Sequence, residues 1–258
     1  LRRRIENILD MPQKIRSYIP VEADLKEYDR ILNRYLSGEG NGDNLAVLGA
    51  MKQAAAMGKT GKTCALISDL LENGKSVVVY TCYLEPAEKI CRCFGDECVR
   101  ITGDVSAEDR QAAVEQFQNG EKKVIVCTVS AGGVGLTLTR SDVVVFNDFD
   151  YSAANMRQAE DRIWRIGQRN ACSIFYVYAD KCLLDETLRD MLNRKLSDIG
   201  KIIDGKEDAL ITNEDEDNRA VLLKKLLVMK STAERKSRKK GITKESPVLQ
   251  PFLLPEFC

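Results

Sequence analysis

The sequence predicts an α/β protein with a mainly parallel sheet covered by helices on both faces. Two observations carry that prediction. From Ser76 onward, short β-branched runs alternate with helical stretches, the order that successive βαβ units produce. The chain has 258 residues and 44% of them are apolar, enough to fill a substantial core.

Taken in order, residues 1–43 are charged and partly helical, and end in the loop SGEGNGDN (37–44). LAVLGAMKQAAAM (45–57) reads as helix, a Gly-Lys turn follows, and Leu66, Ile67, Leu70 and Leu71 form the apolar stripe of a second helix closed by Asn73-Gly74. Five strands are expected: SVVVYT (76–81), CVRIT (98–102), KVIVCT (123–128), DVVVFN (142–147) and CSIFYVY (172–178). Helices over 84–94, 106–118, about 153–166 and 183–200 separate and follow them. Ser106 and Asp109 make a capping-box-like start for the second of these, and Gly200 is expected to cap the last. Beyond Gly205 come the acidic EDED (214–217), a short amphipathic helix around Val221–Met229, and the basic KSTAERKSRKK (230–240), read as a solvated tail. The expected division is therefore a connecting and helical segment (1–43), an α/β lobe (44–200) and a partly irregular extension (201–258).

Composition prunes the chemistry. With no histidine, the chain lacks His-based acid–base catalysis, Ser-His-Asp triads and His-ligated metals. Lys+Arg and Asp+Glu both number 39, so any nucleic acid must be held by local patches rather than by a global field. Nine cysteines, with no secretory signal and no apolar run near the ~18 residues that span a bilayer, point to a reducing intracellular setting without disulfides or a membrane partner. Cys82, Cys91, Cys93 and Cys98 lie closest together, but Cys91 and Cys93 would diverge on a helix. They read as small buried hydrophobes, and no metal site is expected.

AAMGKTGKTCAL (55–66) contains Gly61, Lys62 and Thr63 in the order that ends a phosphate-binding P-loop. A working P-loop leaves a buried strand and opens a helix, whereas residues 45–57 read as helix and Ala56 stands where the first glycine belongs. The favoured reading is a turn between packed helices. The alternative, a self-contained NTPase using Lys62 with Asp148 as its magnesium partner, stays open at this point.

The densest constellation is CTVSAGGVGLTLT (127–139) followed by QAEDRIWRIGQ (158–168). The first leaves a strand through Thr128 and Ser130 into Gly132, Gly133 and Gly135, gathering hydroxyls and free N–H groups at the end of the sheet where ligands bind in parallel folds. The second sets Arg162 and Arg165 three apart on one helical face, so two guanidinium groups can reach one anion, unless they are surface residues paired with Glu160 or Asp161.

In this order the segments closely resemble motifs V and VI in the second RecA-like lobe of Swi/Snf-type ATPases of helicase superfamily two. That family reads S-x-x-x-G-G-x-G-L-N-L-x, D-x-x-W-N-P and Q-A-x-D-R-x-H-R-I-G-Q; this chain reads SAGGVGLTL, DFDYSA (148–153) and QAEDRIWRIGQ. The likeness extends back through VVVYT (77–81), ITGDVSAEDRQAAVEQFQNG (101–120) and LRRRIENILDMPQK (1–14), and so covers about residues 1–200. The A-E-D-R form resembles most the annealing-helicase branch. Three departures stand out: Thr137 replaces Asn, Tyr151-Ser152-Ala153 replaces Trp-Asn-Pro, and Trp164 replaces His. Trp164 reads either as an aromatic packed between lobes or as an ordinary exposed or core ring.

The resemblance implies a RecA-like three-layer α/β/α lobe that faces ATP across a cleft. Arg162 and Arg165 would reach the γ-phosphate, Gly133, Gly135 and Gln158 would line the nucleotide, and Thr81, Thr102, Gly103, Thr128 and Ser130 would hold the phosphates of double-stranded DNA. The true P-loop and the Mg²⁺ site would belong to an N-terminal lobe of the same parent protein. The chain is thus expected to be an excised, monomeric half of a DNA-dependent ATPase, inactive alone, working in the cytoplasm of a bacterium or phage host or in a eukaryotic nucleus. A rival from another class is a non-catalytic DNA- or protein-binding module that retains the lobe's shape.

Overall fold

A computed structural model describes residues 11–39, 43–131, 135–203, 219–229 and 231–232. Its sheet has six strands, all parallel: β1 (Lys14–Val21), β2 (Val77–Thr81), β3 (Cys98–Ile101), β4 (Val124–Thr128), β5 (Val143–Phe146) and β6 (Cys172–Ala179). Their order across the sheet is β1-β6-β5-β2-β4-β3. The helices include α1 (Lys26–Ser37), α2 (Asn44–Glu72), α3 (Leu84–Phe94), α4 (Ala107–Asn119), α5 (Ala153–Glu160) and α6 (Leu183–Ile203), and residues 219–229 are helical as well.

The central strands are buried at every position because both faces are covered. Successive residues serve opposite faces, so Val77, Val79, Val124, Val126, Val143 and Val145 pack with Ile67 of α2 and with Ala87 and Ile90 of α3. Val78, Tyr80, Ile125, Cys127, Val144 and Phe146 pack with Phe117 of α4 and Met156 of α5. Each such fully buried side chain contributes about 1.5–3 kcal/mol, so these three strands form the stable floor of the site. An aromatic ladder crosses four strands on the second face: Tyr18 on Tyr176 at 5.2 Å, Tyr176 on Phe146 at 4.8 Å and Phe146 on Tyr80 at 5.3 Å between ring centroids.

The five strands expected from sequence are all present, as is the Ser106 cap, whose hydroxyl accepts from the Asp109 N–H at 3.0 Å. The segment before residue 43 holds an additional strand: β1 joins the sheet edge in register with β6, Lys14 opposite Cys172. The expected Gly-Lys turn is absent, because α2 runs unbroken through residues 58–63. Tertiary contacts outweigh the two glycines. A Cβ on Gly58 would lie 2.2 Å from the Asp24 carbonyl oxygen, and the Gly58 carbonyl accepts the Asp24 N–H at 3.1 Å. The helix therefore needs a glycine there for close approach. The α5 helix stops at Glu160 instead of reaching 166, and α6 continues past Gly200, which is not its cap. Among the described residues, no helix is long and apolar enough to cross a membrane.

A pair of substitutions separates the two glycines of α2. Gly58→Ala is expected to destabilise by about 2–3 kcal/mol through the collision with Asp24. Gly61→Ala, with nothing within 4 Å of the added carbon, is expected to stabilise by about 0.5–1 kcal/mol through helix propensity. Urea denaturation of both variants measures the contrast, and destabilisation by Gly61→Ala would place a turn at that position after all.

Candidate functional site

The C-terminal ends of β3, β4 and β2 lie side by side, with Thr81 opposite Thr128 and Ile101 opposite Cys127. This alignment brings Thr81, Thr128, Thr102, Gly103 and Ser130 to one edge of the sheet. Their side chains divide into two sets. Thr81 is fully buried and donates its hydroxyl to Asp148 Oδ2 at 2.6 Å, while Thr102, also buried, donates to Asp104. Gly103 and Ser130 are exposed. The Thr128 Oγ1 is buried without a hydrogen-bond partner.

Asp148 also accepts the Cys82 N–H at 2.7 Å and is itself buried, so its oxygens are committed inside the fold. Thr63 likewise turns inward and donates to Asn147 Oδ1 at 2.7 Å, and Lys62 is exposed on the side of α2. In a helix interior the backbone N–H groups are already bonded and form no phosphate cradle. The reading of Lys62 and Asp148 as a self-contained nucleotide site fails on that geometry. Among the described residues, no group of three His, Cys, Asp or Glu side chains is arranged to hold a metal ion. Of the four clustered cysteines only Cys98 is buried; Cys82 and Cys91 are half-buried and Cys93 is exposed.

Arg162 and Arg165 follow α5 on a turn and not on one helical face. Three bonds draw the chain off the helix axis: the Leu138 N–H donates to the Arg162 carbonyl at 3.0 Å, the Gln168 N–H to the Arg165 carbonyl at 2.9 Å, and the Gln168 side chain to the Ile163 carbonyl at 3.2 Å. Gln168 also donates to the carbonyls of Thr139 and Ser141, at 3.2 and 2.8 Å. The arginine turn is thereby fastened to loop 135–141. In that loop Gly135 has φ +53°, a left-handed conformation that glycine adopts without the cost borne by other residues. Arg165 donates to the Thr137 hydroxyl at 3.2 Å, so the threonine that replaces the family's asparagine touches the turn. Arg162 is buried, and burial followed by the neighbouring Arg165 charge lowers its pKa from the ordinary value. Two cations held near each other in a partly desolvated corner are complementary to an anion with several oxygens. Gln158 is exposed on α5, and Gly133 lies outside the described residues.

Sequence reasoning missed what supports this turn. Glu160, fully buried, accepts from Arg16 Nε at 2.6 Å and Nη2 at 2.7 Å, from Lys14 Nζ at 3.2 Å and from the Tyr176 hydroxyl at 2.6 Å. Burial opposes its ionisation, but the bond from Arg16 and the charges of Lys14 and Arg16 prevail, and its pKa falls below the usual carboxylate value. It also missed Lys52, a buried cation whose Nζ lies 4.6 Å from the Tyr151 ring and 5.2 Å from that of Tyr83. Tyr151 stands where the resembled family has tryptophan, so a cation–aromatic contact fills that corner.

A six-stranded parallel sheet of this order, flanked by helices, is a RecA-like α/β fold. Residues 59–167 match the helicase conserved C-terminal domain family. The DNA annealing helicase and endonuclease ZRANB3 of Mus musculus is 28% identical over 230 residues, covering 83% of this chain and 21% of that protein. The SWI/SNF-related matrix-associated actin-dependent regulator of chromatin subfamily A-like protein 1 of Xenopus tropicalis is 36% identical over 140 residues, covering 52% of this chain and 15% of that protein. The chain thus spans about a fifth or less of the length of these relatives. Among solved structures, the Sulfolobus solfataricus SWI2/SNF2 ATPase core in complex with dsDNA superposes with a TM-score of 0.58 at 22% identity, covering 77% of this chain and 48% of that one, a likeness of fold. The chain is thus similar to the C-terminal lobes of Swi/Snf-type helicases, with an annealing helicase among the relatives it matches.

Proposed function

We propose that the chain is the C-terminal half of an ATP-driven translocase or remodeller of double-stranded DNA. Residues 44–200 form its lobe, with β1 and α1 joined to it, and residues 201–258 form an extension. The observation that carries this reading is the placement of Arg162 and Arg165 on a fastened turn beside loop 135–141. The two guanidinium groups stabilise negative charge that develops on the γ-phosphate during hydrolysis. Gly133, Gly135 and Gln158 shape the nucleotide's surroundings. Along the strand ends, Ser130 and the Gly103 backbone meet DNA phosphates, with Thr128 beside them. Thr81 and Thr102, whose hydroxyls bond inward, hold those positions in shape. Phosphate contacts of this type fix the protein on the duplex without reading its sequence.

In this reading a partner lobe of the same parent protein supplies the P-loop and the Mg²⁺ ligands, and the present lobe is monomeric. Such a motor works inside the cell, where its DNA is. Support comes from the chain's own residues, whose G-K-T triplet is locked in a helix and whose Asp148 is sequestered. The chain alone is expected to turn over ATP negligibly and to bind duplex DNA weakly, with affinity falling steeply as salt rises. A phosphate-release assay with and without DNA, beside a fluorescence-anisotropy titration at two salt concentrations, measures both. Steady DNA-stimulated turnover by this chain alone would overturn the half-site reading.

A further inference from the structure

The arginine turn is gripped on its second side by the strand that enters the lobe. Arg16 makes a two-pronged pair with Glu160, and Lys14 bridges Glu160 and Asp161, the latter at 2.6 Å. Trp164, between Arg162 and Arg165 in sequence, donates its indole N–H to the Pro12 carbonyl at 2.6 Å, and Lys14 Nζ lies 4.6 Å from the ring centroid. The Gln13 carbonyl accepts the Cys172 N–H at 2.8 Å, which fixes the start of β1 on the sheet. Residues 12–16 therefore hold the three residues 160, 161 and 164 that flank the two arginines. With Gln168 fastening the other side, the turn has few ways to shift unless residues 12–16 shift with it.

We infer that residues 12–16 form a clasp that sets the position of Arg162 and Arg165, making Glu160 and Trp164 positioning residues. A displacement of the chain entering β1 is delivered to the arginine turn through the Pro12–Trp164 bond and the Arg16–Glu160 pair. This rests on the proposed role of the arginines in hydrolysis. It adds that the entering strand couples that role to motion of whatever precedes it.

Two measurements test the clasp. Trp164 is the only tryptophan in the chain, so its emission in the isolated chain reads the clasp without reference to activity. Arg16→Ala and Lys14→Ala are expected to shift that emission to longer wavelength while far-UV circular dichroism stays unchanged; an unshifted spectrum would overturn the clasp. In a two-lobed protein carrying this chain, Arg16→Ala and Trp164→Phe are expected to lower kcat of DNA-stimulated hydrolysis about 10–100-fold, as a small misplacement of catalytic groups does. KM for ATP should stay within about twofold, and Arg16→Lys should recover part of the rate. Should Arg16→Ala fail to fold, Trp164→Phe and Arg16→Lys decide the matter. A silent Arg165→Ala defeats the reading of function, whereas normal rates in the clasp variants beside an inactive Arg165→Ala defeat the clasp alone.

Discussion

Replacing Arg165 by alanine in a two-lobed protein that carries this chain is expected to lower DNA-stimulated ATP hydrolysis by about 10³–10⁵-fold, the range over which an arginine acting on a transferred phosphoryl group is worth its presence. The loss should fall mainly on kcat, because in the proposed role the charge that Arg165 meets develops in the transition state and is weaker in the bound nucleotide. Arg165 is the cleaner of the two arginines to test. It is half-exposed and its one described side-chain hydrogen bond goes to the Thr137 hydroxyl, so its removal opens no core. Arg162 is buried, and its loss would mix catalytic with structural damage. Arg165→Lys should recover little, since a point charge does not reproduce the planar fork that meets two phosphate oxygens. Steady-state kinetics across ATP concentration, at saturating DNA, gives both constants. Unchanged hydrolysis would favour the rival reading of a non-catalytic module with the lobe's shape.

The largest expected loss of stability lies in the lysine that the P-loop reading passes over. Lys59 is fully buried and pairs with Asp185 at 2.6 Å, donates to the Val177 carbonyl at 3.1 Å, and sits 5.4 Å from the centre of the Phe149 ring. Asp185 also accepts the Ala179 N–H at 2.8 Å. One ion pair thus ties α2 to the end of β6 and the start of α6. Lys59→Met leaves the Asp185 carboxylate buried without its cation, which is expected to cost about 3–5 kcal/mol. For a chain of this size that is a fall in Tm on the order of 10 °C. Lys62→Met, three residues away on the exposed face, should stay within about 0.5 kcal/mol. Calorimetry on the two variants separates them. Equal effects would mean that Lys59 is not the buried partner of Asp185.

What the sequence made legible follows from where burial is two-sided. VVVYT, VIVCT and VVVF are covered on both faces, so every residue is apolar or small and the run stands out from its polar flanks. By contrast KIRSYIPV in β1 is an edge strand. It carries a proline, which an edge tolerates, and two cations whose partners lie on α5 and the turn after it, so its pattern resembles neither a buried strand nor a clean alternation. The α2 helix was misread for a related reason. Gly58, Lys59 and Thr63 look like turn and phosphate chemistry, but each answers to a distant partner: Asp24, Asp185 and Asn147. At the candidate site the arginines were legible as a pair from their spacing and motif. The shape of their turn was not, because it depends on Gln168 reaching back to Thr139 and Ser141 and on Glu160 reaching residues near the start of the chain.

The pairing of β1 with β6 also sets a timetable for the newly made chain. Trp164 and Pro12 are 152 residues apart in sequence, and among the described residues β1 has no strand beside it other than β6. A ribosome adding about 5–20 residues per second exposes the β1 segment for roughly ten seconds or more before its neighbour emerges. During that interval β2, β4 and β3 can assemble with their helices, but Arg16 and Tyr18 wait without the Glu160 and Tyr176 that receive them. The first of these six strands to be synthesised is therefore among the last of them to find its place, and a nascent chain stalled before residue 172 would carry its arginine turn unanchored.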